Sequence, residues 1–420
     1  MKNTTQIKRM AVLGAGVMGT QIAALGANCG IETRLYDLSL DPQTPNALAE
    51  RAIAQLTQPL ERPGLLLARN YTQHLTELLE CDLIIEAIAE RMDWKQALYA
   101  QIQPYLNDNS ILVTNTSGLS IEAMAHFLPE HRRAQFGGMH FFNPPRVMRL
   151  VELIPSSYTS SDLILGLTDW LTHDLGKGVV LARDTPNFIA NRIGVFSLLV
   201  AIHYADYYQL ACDEVDALTG LLIERPSSAT FRTMDVVGLD TMQHVVNTMH
   251  VHLTDDPWHG LFQLPDWMIE CIKKGNLGQK SGCGVYRKRE QVIEVFDKHH
   301  QKYRLSSGQV HPDVMTMIKL APIDRFKALA GSTHPQAQFL WACMRELFYY
   351  SAFHFKAIAH DVKDVDDAMR WGFGWQKGPF EWWNEAGVGS VLNQLTDDLN
   401  KQQSYTQIKL PEWLNGVERF

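Results

Sequence analysis

"MAVLGAGVMGTQIA", Met10 to Ala23, is an apolar run that breaks on Gly14-x-Gly16-x-x-Gly19 and resumes as an apolar, helix-forming stretch. The pattern is a strand that ends in a tight turn and feeds a helix. Gly14 allows the turn, Gly16 lets a phosphate group approach the backbone, and Gly19 lets the helix pack close to the strand. Free N–H groups at the helix start and the positive end of its dipole then favour an anion. Gly14, Ala15, Gly16, Val17, Met18 and Gly19 therefore form a candidate pyrophosphate cradle. A glycine pattern alone is weak, but here its context is met: a strand before, a helix after, and Asp37 at the end of the next apolar run, "TRLYD". A carboxylate there accepts the hydroxyls of an adenosine ribose and repels a 2′-phosphate, so NAD is expected rather than NADP. Arg34 stands before Asp37, within the strand.

Working outward, further apolar runs follow: "DLIIEAI" near 85, "ILVTN" near 113, "AQFGGMHF" near 137, "LVELI" near 152 and "GKGVVLA" ending near Ala182. Strands alternating with helices predict an α/β, Rossmann-type doubly wound sheet over 1–183. At "DTPNFIANRI" the texture changes. Pro186 fits the first turn of a helix, with Asp184 or Thr185 as its cap. The pattern then stays helical to about 275 and ends in the Gly-rich "GNLGQKSGCGVYRK". These features predict an all-α domain over 184–290, a linker with some helix over 291–334, and a second helical module over 335–420. The last module repeats part of the first: "EVDALTG" (214–220) matches "DVDDAMR" (364–370), and Phe231, Asp235 and Gly238 match Phe380, Asn384 and Gly387. Two copies of one module predict that pairing within the chain replaces pairing between chains.

The net charge of −8 gives no support for non-specific nucleic-acid binding. Six cysteines without a Cys-x-x-Cys pair read as reduced thiols, and the start of the chain shows no signal-peptide pattern, so a cytoplasmic location is expected. No apolar run is long enough to predict a membrane span, and no metal-ligand spacing occurs.

"GGMHFFNPPRVMRLVELIP", Gly137 to Pro155, holds His140 and Glu152 with two prolines between them. Pro144 and Pro145 cannot continue a central strand, so the chain must turn there. A return strand can then set Glu152 beside His140. Apolar neighbours predict that Glu152 is buried, and a buried carboxylate needs a partner. From these residues alone, a catalytic dyad and a satisfied core histidine are about equally supported.

Taken together, "MAVLGAGVMG", "DLIIEAIAERMDWK", "NTSGLSI", "GGMHFFNPPRVMRLVELIP", "DTPNFIANRI" and "GQKSGCGVYRK" resemble, in order, the L-3-hydroxyacyl-CoA dehydrogenase family. The resemblance covers roughly 1–290 and extends to the extra C-terminal module of its long forms. "RPSSATFRTMDVVGLDT" is similar to bifunctional fatty-acid oxidation proteins, which implies an enoyl-CoA hydratase partner, fused or separate. The resemblance implies an NAD-dependent oxidation of (3S)-3-hydroxyacyl-CoA in fatty-acid β-oxidation. It makes His140 the general base and Glu152 its orienting carboxylate. Ser117 and Asn191 become substrate contacts, while Glu90, Lys95, Asn143 and Lys280 become residues near the dinucleotide. Two departures stand out. Asn187 replaces the family's usual glycine, a local adjustment that asparagine's backbone tolerance allows. The segment 42–78, expected over the CoA moiety, has only Arg51, Arg62 and Arg69 as cations, so family CoA contacts do not transfer there. Two alternatives follow: a dehydrogenase of a non-CoA hydroxy acid, and a non-catalytic NAD-binding assembly module.

Overall fold

A computed structural model describes residues 6–420. The chain forms two compact units, Met1–Phe188 and Ile189–Phe420. The first is built on an eight-stranded sheet of order β3-β2-β1-β4-β5-β6-β7-β8. Its strands are β1 (Arg9–Leu13), β2 (Glu32–Asp37), β3 (Leu66–Asn70), β4 (Leu83–Glu86), β5 (Ile111–Thr114), β6 (Phe136–Phe141), β7 (Leu150–Ile154) and β8 (Gly178–Leu181). All neighbours run parallel except β6 and β7. Strands β4 to β7 are buried at every residue, the signature of a sheet covered on both faces. The helices are α1 (Val17–Asn28), α2 (Ala47–Ala54), α3 (Met92–Ile102), α4 (Ile121–Ala125), α5 (Glu130–Arg133) and α6 (Ser161–His173). Val12, Ile22, Ile85, Val113, Met139 and Trp170 lie in one apolar core. The strand order reverses between β1 and β4, and open α/β sheets bind ligands at the carboxyl ends of such strands.

Three local expectations are corrected. Strand β3 is additional to the seven apolar runs: "LLARN" carries two polar residues, lies at the sheet edge and is buried at its ends only. Pro186 does not open a helix. Asn187 (φ 64°) and Phe188 (φ 49°) take the left-handed conformation, and the next helix starts at Ala190. Asp184 instead accepts hydrogen bonds from the Ser120 hydroxyl and the Ile121 and Glu122 N–H groups, so it caps α4.

The second unit opens with α7 (Ala190–Tyr207), α8 (Cys212–Thr219), α9 (Phe231–Val237), α10 (Leu239–His252) and α11 (Asp266–Lys273). Here the 291–334 linker is corrected. A three-stranded antiparallel sheet starts with β9 (Tyr286–Arg289), a strand at the end of the region expected to be all-α, and continues through β10 (Val292–Asp297) and β11 (Lys302–Leu305) in the first half of 291–334. Helices α12 (Pro312–Ile318) and α13 (Pro322–Gly331) fill the second. The strands are short, polar and half-exposed, so their apolar signal is faint. The unit ends with α14 (Pro335–Ile358), α15 (Val362–Gly372), α16 (Pro379–Ala386) and α17 (Val388–Asn400).

The repeat is carried by equivalent hydrogen bonds. Asp216 on α8 accepts from the N–H groups of Thr230, Phe231 and Arg232 at the start of α9. Asp366 on α15 accepts from Phe380 and Glu381 at the start of α16. Gly238 and Gly387 both turn with positive φ, at 98° and 81°. The two modules meet where α7 packs on α14. Phe196 stacks on Tyr350 there at 3.6 Å, a pair worth about 0.5–1.5 kcal/mol beyond its buried area.

Candidate active site

Gly14 has φ +107°, and a Cβ added to it would lie 2.7 Å from the Ala87 carbonyl oxygen. At Gly19 an added Cβ would lie 1.9 Å from the Gly14 carbonyl oxygen, so no side chain fits while α1 packs this close. Gly16 differs. A Cβ there meets nothing within 4 Å, so the glycine leaves space in front of the helix start. Gly16 is also the N-cap of α1, and no side chain caps it. Ala15 and Met18 pack against the core, and Val17 is exposed. The Ala15 N–H donates to Asp37 Oδ2 at 2.7 Å, and the Leu38 N–H donates to Oδ1 at 2.7 Å. Asp37 thus holds the loop from the end of β2. A cavity of about 480 Å³ opens beside it, lined by Gly14, Gly16, Asp37, Ala87, Ile88 and Trp94 among others. These features fit a dinucleotide: an open approach to backbone N–H groups, a carboxylate for ribose and apolar walls for adenine.

Arg34 is 6% exposed and engaged by Glu32 at 2.9 Å and Glu80 at 2.6 Å, with Glu77 at 3.4 Å. It offers no free guanidinium to a 2′-phosphate. Replacing Asp37 by alanine is expected to weaken NADH binding about tenfold and to narrow the preference over NADPH, because both the ribose acceptor and the loop tie are lost. Fluorescence titration with both dinucleotides checks this, and unchanged affinity for NADH would sink the assignment.

After β4 and β5 the chain assembles a second cluster. Glu90 Oε1 accepts from the Thr116 hydroxyl at 2.5 Å and from the Ser117 N–H at 2.8 Å. This fixes the loop that carries Ser117. Lys95 lies 3.7 Å from Glu90 but is turned chiefly onto Glu86, with Nζ 2.7 and 2.8 Å from its two oxygens. Lys95 is 1% and Glu86 0% exposed. Glu86 also accepts from Thr114, Tyr99 and the Ile88 N–H. The structure thus places Lys95 in the core and leaves Glu90 as the member of the pair nearer solvent. Burial beside these carboxylates pushes the Tyr99 phenol well above its ordinary range. Glu86 was not singled out in the sequence. The signal is a glutamate closing an otherwise apolar strand, nine residues before a lysine.

His140 and Glu152 are directly opposite one another in the antiparallel β6–β7 pair. Nδ1 of His140 is 2.8 Å from Glu152 Oε2, and both side chains are buried. A carboxylate accepts, so Nδ1 carries the proton and Nε2 is left as the basic nitrogen. Phe142 and Phe188 pack on the imidazole, with centroids at 4.5 and 5.8 Å. Phe188 reaches that place through the left-handed turn at Asn187–Phe188, and Asn187 abuts Gly118 beside Ser117.

The register depends on the turn at 142–149. Lys177 donates to the Pro145 carbonyl at 2.5 Å and the Met148 carbonyl at 2.8 Å, gathering the turn onto the body of the unit. Burial lowers the pKa of that lysine. Arg146 donates to the Gln58 and Pro59 carbonyls on the other side. Asn143 stands exposed at the end of β6, and the bond to Pro144 is cis. Lys177 has no motif and was missed in the sequence, since its acceptors are distant carbonyls.

In the 42–78 segment Arg69 is held by Glu77 at 2.7 Å. Two sequence-predicted residues belong to the second unit. Asn191 lies in the first turn of α7. Lys280 Nζ sits 2.5 Å from Asp240, which holds that carboxyl below its ordinary range.

Among the described residues no helix is long and apolar enough to cross a membrane. Residues 9–185 match the family model described as 3-hydroxyacyl-CoA dehydrogenase, NAD binding domain, and 188–288 match its C-terminal domain. A Bacillus subtilis relative named "Probable 3-hydroxyacyl-CoA dehydrogenase" is 36% identical over 421 residues, 94% of this chain and 53% of that one. A Deinococcus radiodurans relative of the same name is 38% identical over 291 residues, 67% of this chain and 83% of its own length. The crystal structure of 3-hydroxybutyryl-CoA dehydrogenase from Escherichia coli covers 97% of this chain and 98% of its own. At TM-score 0.69 and 22% identity, it shares the fold. The chain spans about half the length of several curated relatives: 53% of the Bacillus protein, and 57% of two Rickettsia proteins whose names contain "fatty acid oxidation complex trifunctional enzyme". With its glycine loop, its Asp37 and both family domains in sequence, the chain belongs to the 3-hydroxyacyl-CoA dehydrogenase family.

Proposed function

We propose that this chain oxidises (3S)-3-hydroxyacyl-CoA to 3-oxoacyl-CoA in fatty-acid β-oxidation. The observation that carries the reading is the 2.8 Å bond from His140 Nδ1 to the buried Glu152. Glu152 fixes the tautomer, so Nε2 takes the hydroxyl proton and the carboxylate stabilises the imidazolium that forms. NAD, when bound, supplies the hydride acceptor. Gly14 to Gly19 and Asp37 hold its adenosine diphosphate half, with Glu90 and Asn143 toward the nicotinamide end. The Ser117 hydroxyl bonds the substrate's 3-oxygen, the Asn191 amide contacts the substrate, and Lys280 contacts the dinucleotide. Lys95 acts through Glu90 and Glu86. The free cysteines support a reducing, cytoplasmic setting. The duplicated module supplies the contact a second subunit would otherwise make, and the trifunctional names of the long Rickettsia relatives support further fatty-acid oxidation activities beside this one, of which the family resemblance makes an enoyl-CoA hydratase the expected partner.

Purified protein with acetoacetyl-CoA is expected to consume NADH. Absence of turnover with short- to long-chain 3-oxoacyl-CoA would sink the proposal. Turnover of a free 3-hydroxy acid in place of the thioester would favour the second reading, which the cation-poor 42–78 segment supports. NADH binding without turnover of either would favour an assembly module.

A further inference from the structure

The first turn of helix α7 starts at Ala190. Asn191 lies in that turn, and so does its neighbour Arg192. Arg192 is 6% exposed, and three groups engage its guanidinium. Nη2 is 3.0 Å from Asp256 Oδ2 and 3.1 Å from His354 Nδ1, and Nε donates to the Tyr350 hydroxyl at 3.1 Å. Asp256 belongs to the loop after α10. Tyr350 and His354 belong to α14, the first helix of the second module.

The cluster closes on itself. Tyr350 donates to Asp256 Oδ2 at 3.1 Å, and the Trp258 N–H donates to Oδ1 at 3.0 Å. The Arg192 guanidinium can only donate, so His354 Nδ1 accepts and the neutral ring carries its proton on Nε2, which lies 3.1 Å from the same carboxylate without forming an aligned hydrogen bond to it. Burial lowers the pKa of His354, in keeping with a neutral ring between a guanidinium and a carboxylate. A buried guanidinium deprived of these partners would have to move toward water. It would take the first turn of α7 with it.

We propose that the second helical module serves catalysis as well as stability: Tyr350 and His354 hold Arg192, and Arg192 positions Asn191. Tyr350, His354 and Arg192 are positioning residues. The inference rests on the proposed role of Asn191 toward the substrate.

The same pair of helices supplies a matched control. At the other end of α7, Tyr204 donates to Glu346 at 3.0 Å and accepts from Arg345 at 2.8 Å, both on α14. Tyr204→Phe and Tyr350→Phe each remove one buried hydroxyl between α7 and α14, but only Tyr350 touches Arg192. The readouts are kcat with acetoacetyl-CoA per bound NADH, NADH Kd and Tm. Tyr350→Phe and His354→Leu are expected to lower kcat about tenfold with NADH affinity within about twofold, since displacing a substrate-positioning group by a fraction of an ångström weakens turnover more than binding. Tyr204→Phe is expected to lower Tm with kcat within about twofold. His354→Gln, which keeps an acceptor and a donor on one side chain, recovers part of the rate.

Equal kcat losses at Tyr204 and Tyr350 would overturn the proposal. So would unchanged kcat in Tyr350→Phe and His354→Leu while Asn191→Ala is impaired. Unchanged kcat in Asn191→Ala, or a wild-type protein without turnover, would remove the underlying reading and the inference with it.

Discussion

Replacing His140 by alanine is expected to lower kcat by on the order of 10² or more while NADH affinity stays within about twofold. His140 sits on β6, whereas the glycine loop and Asp37 sit at the ends of β1 and β2, so removing the imidazole leaves the dinucleotide contacts intact. Without Nε2 there is no positioned acceptor for the hydroxyl proton, and Glu152 loses the imidazole it orients. Because His140 is 4% exposed, the alanine variant also opens a small cavity beside Phe142 and Phe188. His140→Gln separates the two effects by filling most of that space with a side chain that cannot act as a base. Loss of turnover in both variants, with Tm nearly unchanged in the glutamine variant, is the expected pattern. Full turnover in either, or unfolding of both, would return His140 to the status of a core histidine.

Replacing Lys95 by methionine is expected to destabilise the first unit by about 3–5 kcal/mol, because it strands the Glu86 carboxylate in the core. Both side chains are essentially sealed from water, and Lys95 contributes two of the contacts to that carboxylate. Adding Glu86→Gln to the Lys95→Met variant removes the stranded charge and is expected to recover most of the loss. Urea titration of the single and double variants measures it. A Lys95→Met variant of wild-type stability that binds NADH poorly would instead make Lys95 a direct cofactor contact.

The two sites differ in how far they are legible in the sequence. The glycine loop and Asp37 were, because each depends on short-range chemistry: three glycines at fixed spacing, a strand before them, a carboxylate at the next strand end. The pairing of His140 with Glu152 was half legible. The two prolines demanded a turn, but the opposed register rests on β6 and β7 running antiparallel, with the turn held by Lys177 and Arg146. The strand at Leu66–Asn70 and the small sheet of 286–305 were hidden, because strands with few fully buried residues lack a continuous apolar run. The duplicated module was legible as a repeat, but the use of Asp216 and Asp366 to start the following helices was not.

By itself the sequence determined the doubly wound first unit and the dinucleotide loop, which are written in local periodicity and in spacings of a few residues that backbone sterics convert directly into structure. The helical duplication was legible as similarity between two distant segments, 214–220 and 364–370, and the family as a resemblance carried by six ordered motifs. Only the tertiary structure decided the partners of the charged groups: Lys95 with Glu86, Arg34 with three glutamates, Asp184 with the start of α4, and Arg192 with a carboxylate, a phenol and an imidazole from far along the chain. A buried charge must find a counterpart wherever the fold brings one within about 3 Å, and no sequence spacing encodes that distance.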